Sequence, residues 1–239
     1  MLAKRIRLCK GEALFRVGDA FVALYAVRSG SCKTVLLSQA GQDQVAGYHM
    51  AGEIIGTDGI GARIHDCQAT ALEEMEVCPL PFDQIENLAR GSDPLRRNLH
   101  QVLSQESARA RALMLVLGTM RAEQRLGVFL LDLSQQYRAH GYSSTEFVMR
   151  LTRDEIGSYL GLKLETVSRL FSRFQHEGLI LVQGRAVKML DRAGVRRLVA
   201  GDGLRECVAG DKSVDRFAVK QSCKGDGTPI IVDACTLPR

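Results

Sequence analysis

The sequence predicts an α+β chain with an antiparallel β-roll in front, one long helix in the middle, and a helix-turn-helix with a hairpin wing behind. Three observations predict it. Short apolar runs are broken by glycines at near-regular intervals up to Pro81, apolar residues then step by threes and fours from Leu95 to Met120, and a capping pair, a glycine turn and a striped helix follow one another between Thr152 and Gly178.

Composition sets the bounds. The chain has 239 residues, 46% hydrophobic, 25% charged and 5% aromatic, which suits a soluble globular protein with a real core and excludes a disulfide-stapled miniprotein or wholesale disorder. No window reaches the roughly 18 uninterrupted apolar residues that a membrane span needs. The start, MLAKRIRLCKGE, has charges where a secretory signal needs an apolar run. A cytoplasmic chain without a membrane partner is therefore expected. Seven cysteines (Cys9, Cys32, Cys67, Cys78, Cys207, Cys223 and Cys235), an odd number without a C-x-x-C pair, do not make a secreted disulfide framework.

The net charge of +5 is unevenly placed. Residues 1–91 carry 9 Lys and Arg against 11 Asp and Glu, residues 92–144 carry 7 against 4, residues 145–200 carry 10 against 6, and residues 201–239 carry 6 of each. An acidic front and a basic later half suggest a sensor joined to a polyanion-binding module.

In residues 1–91, runs of Val, Ile, Leu, Tyr and Phe end at Gly11, Gly18, Gly30, Gly41, Gly52, Gly56 and Gly61, the spacing of short strands in a sandwich or barrel. LYAVRSGSCKTVLL reads as two strands about a Ser29-Gly30 hairpin turn. A β-roll without any ligand fits these residues equally well. Residues 83–89 form a short helix, and Ser92 caps a long one over residues 92–120. Leu99, Val102, Glu106, Ala110, Leu113 and Leu117 make its stripe, which suits either a dimer seam or a helix lying on its own sheet. Small, apolar Ala110 lets two copies approach closely. A further helix runs from Arg121 to Ala139, with Leu126, Phe129, Leu130 and Leu133 on one face, and residues 145–150 read as a strand.

Thr152 and Glu155 form a capping box that opens a helix from Arg153 to Leu160. Gly161-Leu162-Lys163 is the tight turn, where glycine takes the positive φ that a sharp reversal requires. The second helix, Leu164 to Glu177, buries Val167, Leu170, Phe171 and Phe174 and presents Glu165, Ser168, Arg169, Ser172 and Arg173. On a solvated helix Glu165 and Arg169 would be an i,i+4 ion pair worth about 0.2–0.5 kcal/mol. In a major groove Arg donates to guanine O6 and N7, and Glu accepts from cytosine N4. LILVQGRAVKML is a hairpin whose Arg185 and Lys188 face a phosphate backbone, and Thr152 joins the expected DNA contacts. Residues 121–200 thus read as a winged helix-turn-helix DNA-binding domain. No catalytic Ser/His/Asp set, carboxylate pair or phosphate loop stands out, so an enzyme is not expected.

LTRDEIGSYLGLKLETVSRLFSRFQHEGLI resembles the DNA-binding segment of the CRP/FNR family of bacterial transcription regulators, and LETVSR resembles the E-x-x-S-R of its FNR branch. KGEALFRVGDAFVALYAVRSGSCKTV and AGEIIGTDGIG resemble the family's jelly-roll, cyclic-nucleotide-binding-like sensory domain. The similarity runs over residues 5–195. It implies a homodimer joined through the long helix, double-stranded DNA and RNA polymerase as partners, and a TTGAT-type palindrome read by Glu165, Ser168 and Arg169.

The resemblance also bears on the signal. The cyclic-nucleotide branch holds phosphate with a Glu and an Arg-Ser pair, whereas this sequence has Thr57 near the Glu position and Asp66-Cys67 at the pair. A carboxylate repels a phosphate, so cAMP binding is not expected. The FNR branch holds an iron-sulfur cluster on four cysteines. Cys78, in VCPLPF, matches the internal ligand, but the N-terminal trio has no counterpart beyond Cys9. Three readings stay open: the natural start lies upstream of Met1, the cluster has given way to redox-active thiols, or oxygen is not sensed. Cys9, Cys32 and Cys67 are read as buried structural thiols. His49, His65, His100, His140 and His176 are read as surface or satisfied residues, and residues 201–239 as a flexible tail. The expected function is a redox- or oxygen-responsive transcription regulator. The alternatives are a cAMP- or other small-ligand-responsive regulator of the same fold, and a β-roll regulatory subunit that does not bind DNA.

Overall fold

Eight short strands build the front of the chain in a computed structural model that describes residues 5–37, 41 and 43–201. They are β1 (Ile6–Leu8), β2 (Ala13–Phe15), β3 (Ala23–Ser29), β4 (Ser31–Leu37), β5 (Asp43–Met50), β6 (Ile54–Ile55), β7 (Cys67–Ala71) and β8 (Met75–Pro81). They form two four-stranded sheets of order β1-β8-β3-β6 and β2-β7-β4-β5, all pairings antiparallel. Leu8, Phe15, Val27, Ile55, Ala69 and Val77, drawn from both sheets, are buried in one cluster. Alternate residues of each strand therefore face the shared core.

The expected hairpin at Ser29-Gly30 is corrected. β3 pairs with β6 and β8, and β4 pairs with β5 and β7, so the two strands lie in different sheets. Gly30 makes the crossing at φ 79°, so close to the chain that a Cβ there would collide with the Glu74 carbonyl oxygen. The alternation on each side is real, but it records burial against the common core, not pairing of the two strands.

Helices follow: α1 (Phe82–Gly91), α2 (Asp93–Thr119) and α3 (Ala122–Ala139). The described residues fall into two compact units, one reaching Ser107 and one starting at Ala108, so the division lies inside α2. In the first unit Leu99 packs against the buried group Phe21, Leu24 and Phe82. In the second, Val116 is buried, and Leu117 Cδ2 lies 3.5 Å from where a Cβ of Gly161 would stand. Two residues of the expected seam, Leu99 and Leu117, are thus packed within their own units. Ala110 and Met114 are exposed, and Val102, Glu106 and Leu113 are half-buried.

The second unit continues through β9 (Glu146–Val148), α4 (Arg153–Leu160), α5 (Leu164–His176), β10 (Ile180–Gln183), β11 (Ala186–Met189) and α6 (Arg192–Ala200). Its sheet has three strands in the order β10-β11-β9, one more than the hairpin alone. Leu126, Leu130, Ile156, Val167, Phe174 and Val187 are fully buried within the unit. No helix among the described residues is long and apolar enough to cross a membrane. Cys207, Cys223 and Cys235, with the rest of the expected tail beyond residue 201, lie outside the described residues.

Candidate nucleic-acid interface

Local sequence sets the entry to the helix-turn-helix. Thr152 Oγ1 accepts the Glu155 N–H at 3.2 Å, and Glu155 Oε2 accepts the Thr152 N–H at 2.7 Å. This reciprocal pair satisfies two of the donors that open α4. Gly161 closes α4 at φ 62° and ψ 40°, the left-handed conformation that suits glycine. Gly157 permits the turn to fold back closely, since a Cβ there would meet the Leu162 carbonyl oxygen at 2.6 Å. Arg153 lies over the Phe171 ring, 3.2 Å from its centroid, and so ties α4 to α5. Burial pulls its guanidinium down to about 10, still charged at neutral pH.

Val167, Leu170, Phe171 and Phe174 are buried along α5. The same 3.6-residue period turns Glu165, Ser168, Arg169 and Ser172 outward, all exposed. The solvated Glu165–Arg169 ion pair is not formed. Among the described residues neither side chain has a charged partner, and the first two turns of α5 present a free acceptor, a hydroxyl and a free cation on one side.

Two of the expected contacts are engaged elsewhere. The Arg173 guanidinium meets Glu123 of α3 and Glu177 just beyond α5, and these hydrogen bonds and charges raise it further. It braces α5 against α3 instead of standing free with Arg169. Lys188 Nζ lies 3.8 Å from Glu146 Oε2, its partner in the β9–β11 register. Arg185 is exposed beside the wing's turn, where Gly184 takes φ 60°, and no ion pair among the described residues engages it. Thr152 is exposed, and its oxygen is spent as a cap while its O–H stays able to donate.

Arg125, not singled out by sequence, donates to three backbone oxygens within this unit. Its Nε donates to the Met120 carbonyl at 3.0 Å, Nη1 to Leu160 at 3.0 Å and Nη2 to Leu117 at 2.8 Å. A signal existed: a cation in the first turn of a helix opposes the helix dipole and so calls for an outside partner.

In the β-roll the place that corresponds to the cyclic-nucleotide branch's phosphate cassette is acidic. Asp58 Oδ2 lies 3.1 Å from His65 Nδ1 and accepts the Asp66 N–H at 3.1 Å. Ligand-type atoms of Asp58, Asp66 and Cys67 all fall within 4.8 Å of one another. Partial burial and then the Asp58 charge raise the Asp66 carboxyl above its ordinary range. The family resemblance singled out Asp66-Cys67, and Asp58 was missed because only folding brings it there. His65 stacks on Phe15 with ring centroids 3.8 Å apart, and His49 Nδ1 lies 3.3 Å from Glu53 Oε2, so both are buried and satisfied.

The described thiols do not fit a four-thiolate cluster. Cys32 faces Ala71 and Cys67 faces Leu36, so four residue steps, about 13 Å, separate them along β4. Cys78 sits in the other sheet opposite Ala26. Cys9 follows Leu8, whose partner is Met75, so it too stands about 13 Å from Cys78 along β8. Burial, with Glu53 adding to it, pushes the Cys32 thiol up to about 12, and burial followed by Asp58 pushes Cys67 up as well. Ligation needs the thiolate, which these sites disfavour. Cys9 is exposed, a correction to its expected burial, because it begins the turn after β1, where its N–H donates to Glu12 Oε2 at 2.7 Å.

Comparison with known proteins agrees with this geometry. Residues 5–92 match the model of the cyclic nucleotide-binding domain, and residues 124–198 match the Crp-like helix-turn-helix domain. The transcriptional regulatory protein btr of Bordetella pertussis is 45% identical over 199 residues, 83% of this chain and 82% of that one. The chain belongs to the CRP/FNR family. It is a DNA-binding transcription regulator of the FNR-like branch. The fumarate and nitrate reduction regulatory protein of Escherichia coli is 37% identical over 79% of this chain and 76% of its own length. Among solved structures, FixK2 from Bradyrhizobium japonicum superposes with a TM-score of 0.75 at 25% identity, covering 82% of this chain and 96% of that one. The α+β fold of a β-sheet domain, long helices and a C-terminal helix-turn-helix is shared with these CRP/FNR structures.

Proposed function

We propose that this CRP/FNR regulator binds TTGAT-type palindromes as a homodimer and tunes transcription in response to oxygen or redox state, with RNA polymerase as its partner. Residues 1–91 are the sensory roll, 92–120 the dimerisation helix and 121–200 the reading domain. Glu165, Ser168 and Arg169, exposed together and without charged partners on α5, carry the reading. Arg169 donates to guanine, Glu165 accepts from the cytosine of the same G·C step, and Ser168 adds a short contact. Arg185, Lys188 and Thr152 position the domain on the phosphates, and Arg173 acts from its brace on Glu123.

Binding to a TTGAT palindrome and to a scrambled duplex at fixed salt tests the reading, with clear preference for the palindrome expected. Equal binding overturns it. Loss of all salt-dependent DNA binding favours the regulatory-subunit alternative. The paired carboxylates Asp58 and Asp66, at the position of the phosphate cassette, speak against a cyclic nucleotide. A calorimetric titration with cAMP is expected to show no heat of binding. A cluster on Cys78 would need ligands from outside the described residues, so the redox input is proposed without a step through it. Iron and sulfide analysis of protein purified without oxygen tests the cluster separately.

A further inference from the structure

Two helices end at one guanidinium. α2 leaves the Leu117 carbonyl unpaired within its last turn, with Met120 just beyond it, and α4 leaves that of Leu160. All three accept from Arg125 of α3, at 2.8, 3.0 and 3.0 Å. Both helix ends carry the negative pole of their dipoles, so a buried-side cation is well placed there. Among the described residues no carboxylate pairs with Arg125, and its three donating nitrogens go to three backbone oxygens on two separate elements. Leu160 is also the last residue before the turn into α5. A Cβ on Gly161 would stand 3.4 Å from Arg125 Nη1 and 3.5 Å from Leu117 Cδ2, so the turn itself rests on the clamp.

We infer that Arg125 is a positioning residue: it locks the last turn of the long helix to the helix-turn-helix and thereby sets which half-site spacing the dimer accepts. It does not touch DNA. The inference rests on the homodimer reading above, in which α2 joins the two copies and α5 reads each half-site. A dimer gains its affinity for a palindrome only when both reading helices reach their grooves together, and this depends on a fixed angle between the joining helix and the reading helix. A guanidinium bound at three points resists rotation about the α2–α3 corner, which a single hydrogen bond cannot do.

The test compares the full chain with Arg125→Gln and Arg125→Lys on a single half-site and on palindromes whose half-sites are moved apart or together one base pair at a time. The wild type is expected to prefer one spacing by about tenfold or more. In R125Q the preference flattens toward equality while single half-site affinity holds within about twofold. R125K, which keeps the charge but not the fork, falls between them. Weakening of R125Q by the same factor at every spacing overturns the proposal, because a helix cap that only stabilises would act in that way. An unchanged spacing preference also overturns it, and if R125Q does not fold by circular dichroism, an unchanged preference in R125K does the same. A wild type without any preferred spacing overturns the dimer reading and the proposal together.

Discussion

Asp58 and Glu165 are both carboxylates in the first turn of a helical segment, one in the β-roll and one in α5. Asp58 is largely buried, lies against His65 and accepts the Asp66 N–H, and Cys67 sits beside it. Glu165 is exposed and has no charged partner among the described residues. The pattern extends beyond these two. Cys32, Cys67, His49 and His65 are buried in the roll, the two histidines against carboxylates, whereas Ser168, Arg169 and Arg185 stand free in the winged helix. Polar groups turned on one another stabilise a shape. Polar groups left to water are the ones that can exchange that water for a base or a phosphate at little desolvation cost. In the proposed reading the free groups of the winged helix are the ones available to DNA, whereas the paired groups described in the roll hold its form.

The strongest way to break the contrast is to remove the scaffold beneath the reading face while leaving that face intact. Phe174→Ala deletes a fully buried ring behind Ser168 and Arg169 and is expected to cost about 3–5 kcal/mol in urea unfolding. DNA binding then falls with the folded fraction although no exposed side chain has changed. Removing the face and leaving the scaffold should do the reverse. Arg169→Ala is expected to lose about 1–3 kcal/mol of discrimination at one base pair, measured by competition between duplexes, with an unchanged melting temperature. If discrimination survives, Arg169 is not the reader.

The roll's inward chemistry is tested by pH. The buried Cys32 thiol is raised to about 12 in the folded state from an ordinary value of 9.0. The unfolded chain therefore loses this proton first, so the stability contribution is complete below pH 9 and declines as pH rises from there toward 12. One such thiol contributes a slope of about 1.4 kcal/mol per pH unit in that window. Urea unfolding of Cys32→Ala over the same range should show a shallower fall, and an identical slope would mean that the thiol is not shielded. A smaller effect is expected at the rim of the reading unit. Thr152→Ala removes the capping oxygen and should cost about 1 kcal/mol of stability, read by thermal unfolding. The smallest is Arg173→Ala, which should leave base discrimination unchanged because its guanidinium is held by Glu123 and Glu177.

Much of the reading unit was legible in the residues. The Thr152–Glu155 box, the Gly161 turn and the α5 stripe follow one another between Thr152 and Gly178, and the bounds of α4 and α5 fell within a residue or so of their expected places, whereas α6 was not anticipated. The outward set Glu165, Ser168 and Arg169 followed from the same period. Its neighbour Arg173 shares that period, but Glu123, fifty positions away, claims it. In the roll the strands were legible and their partners were not. β3 and β4 read as one hairpin, yet each pairs only within its own sheet. Alternation tells which face of a strand is buried and is silent on which strand lies beside it.

The sequence by itself determined where α4 and α5 start and stop, which face of each is apolar, and that basic side chains gather behind residue 145. These depend on contacts between near neighbours, and a few kcal/mol of capping and turn preference act in any context. Only the tertiary structure decided the sheet crossing at Gly30, the joining of Asp58 to Asp66 and Cys67, the separation of the four described thiols, and the convergence of Leu117, Met120 and Leu160 on Arg125. Those depend on which buried surfaces pack together, and packing brings residues into contact without regard to their separation along the chain.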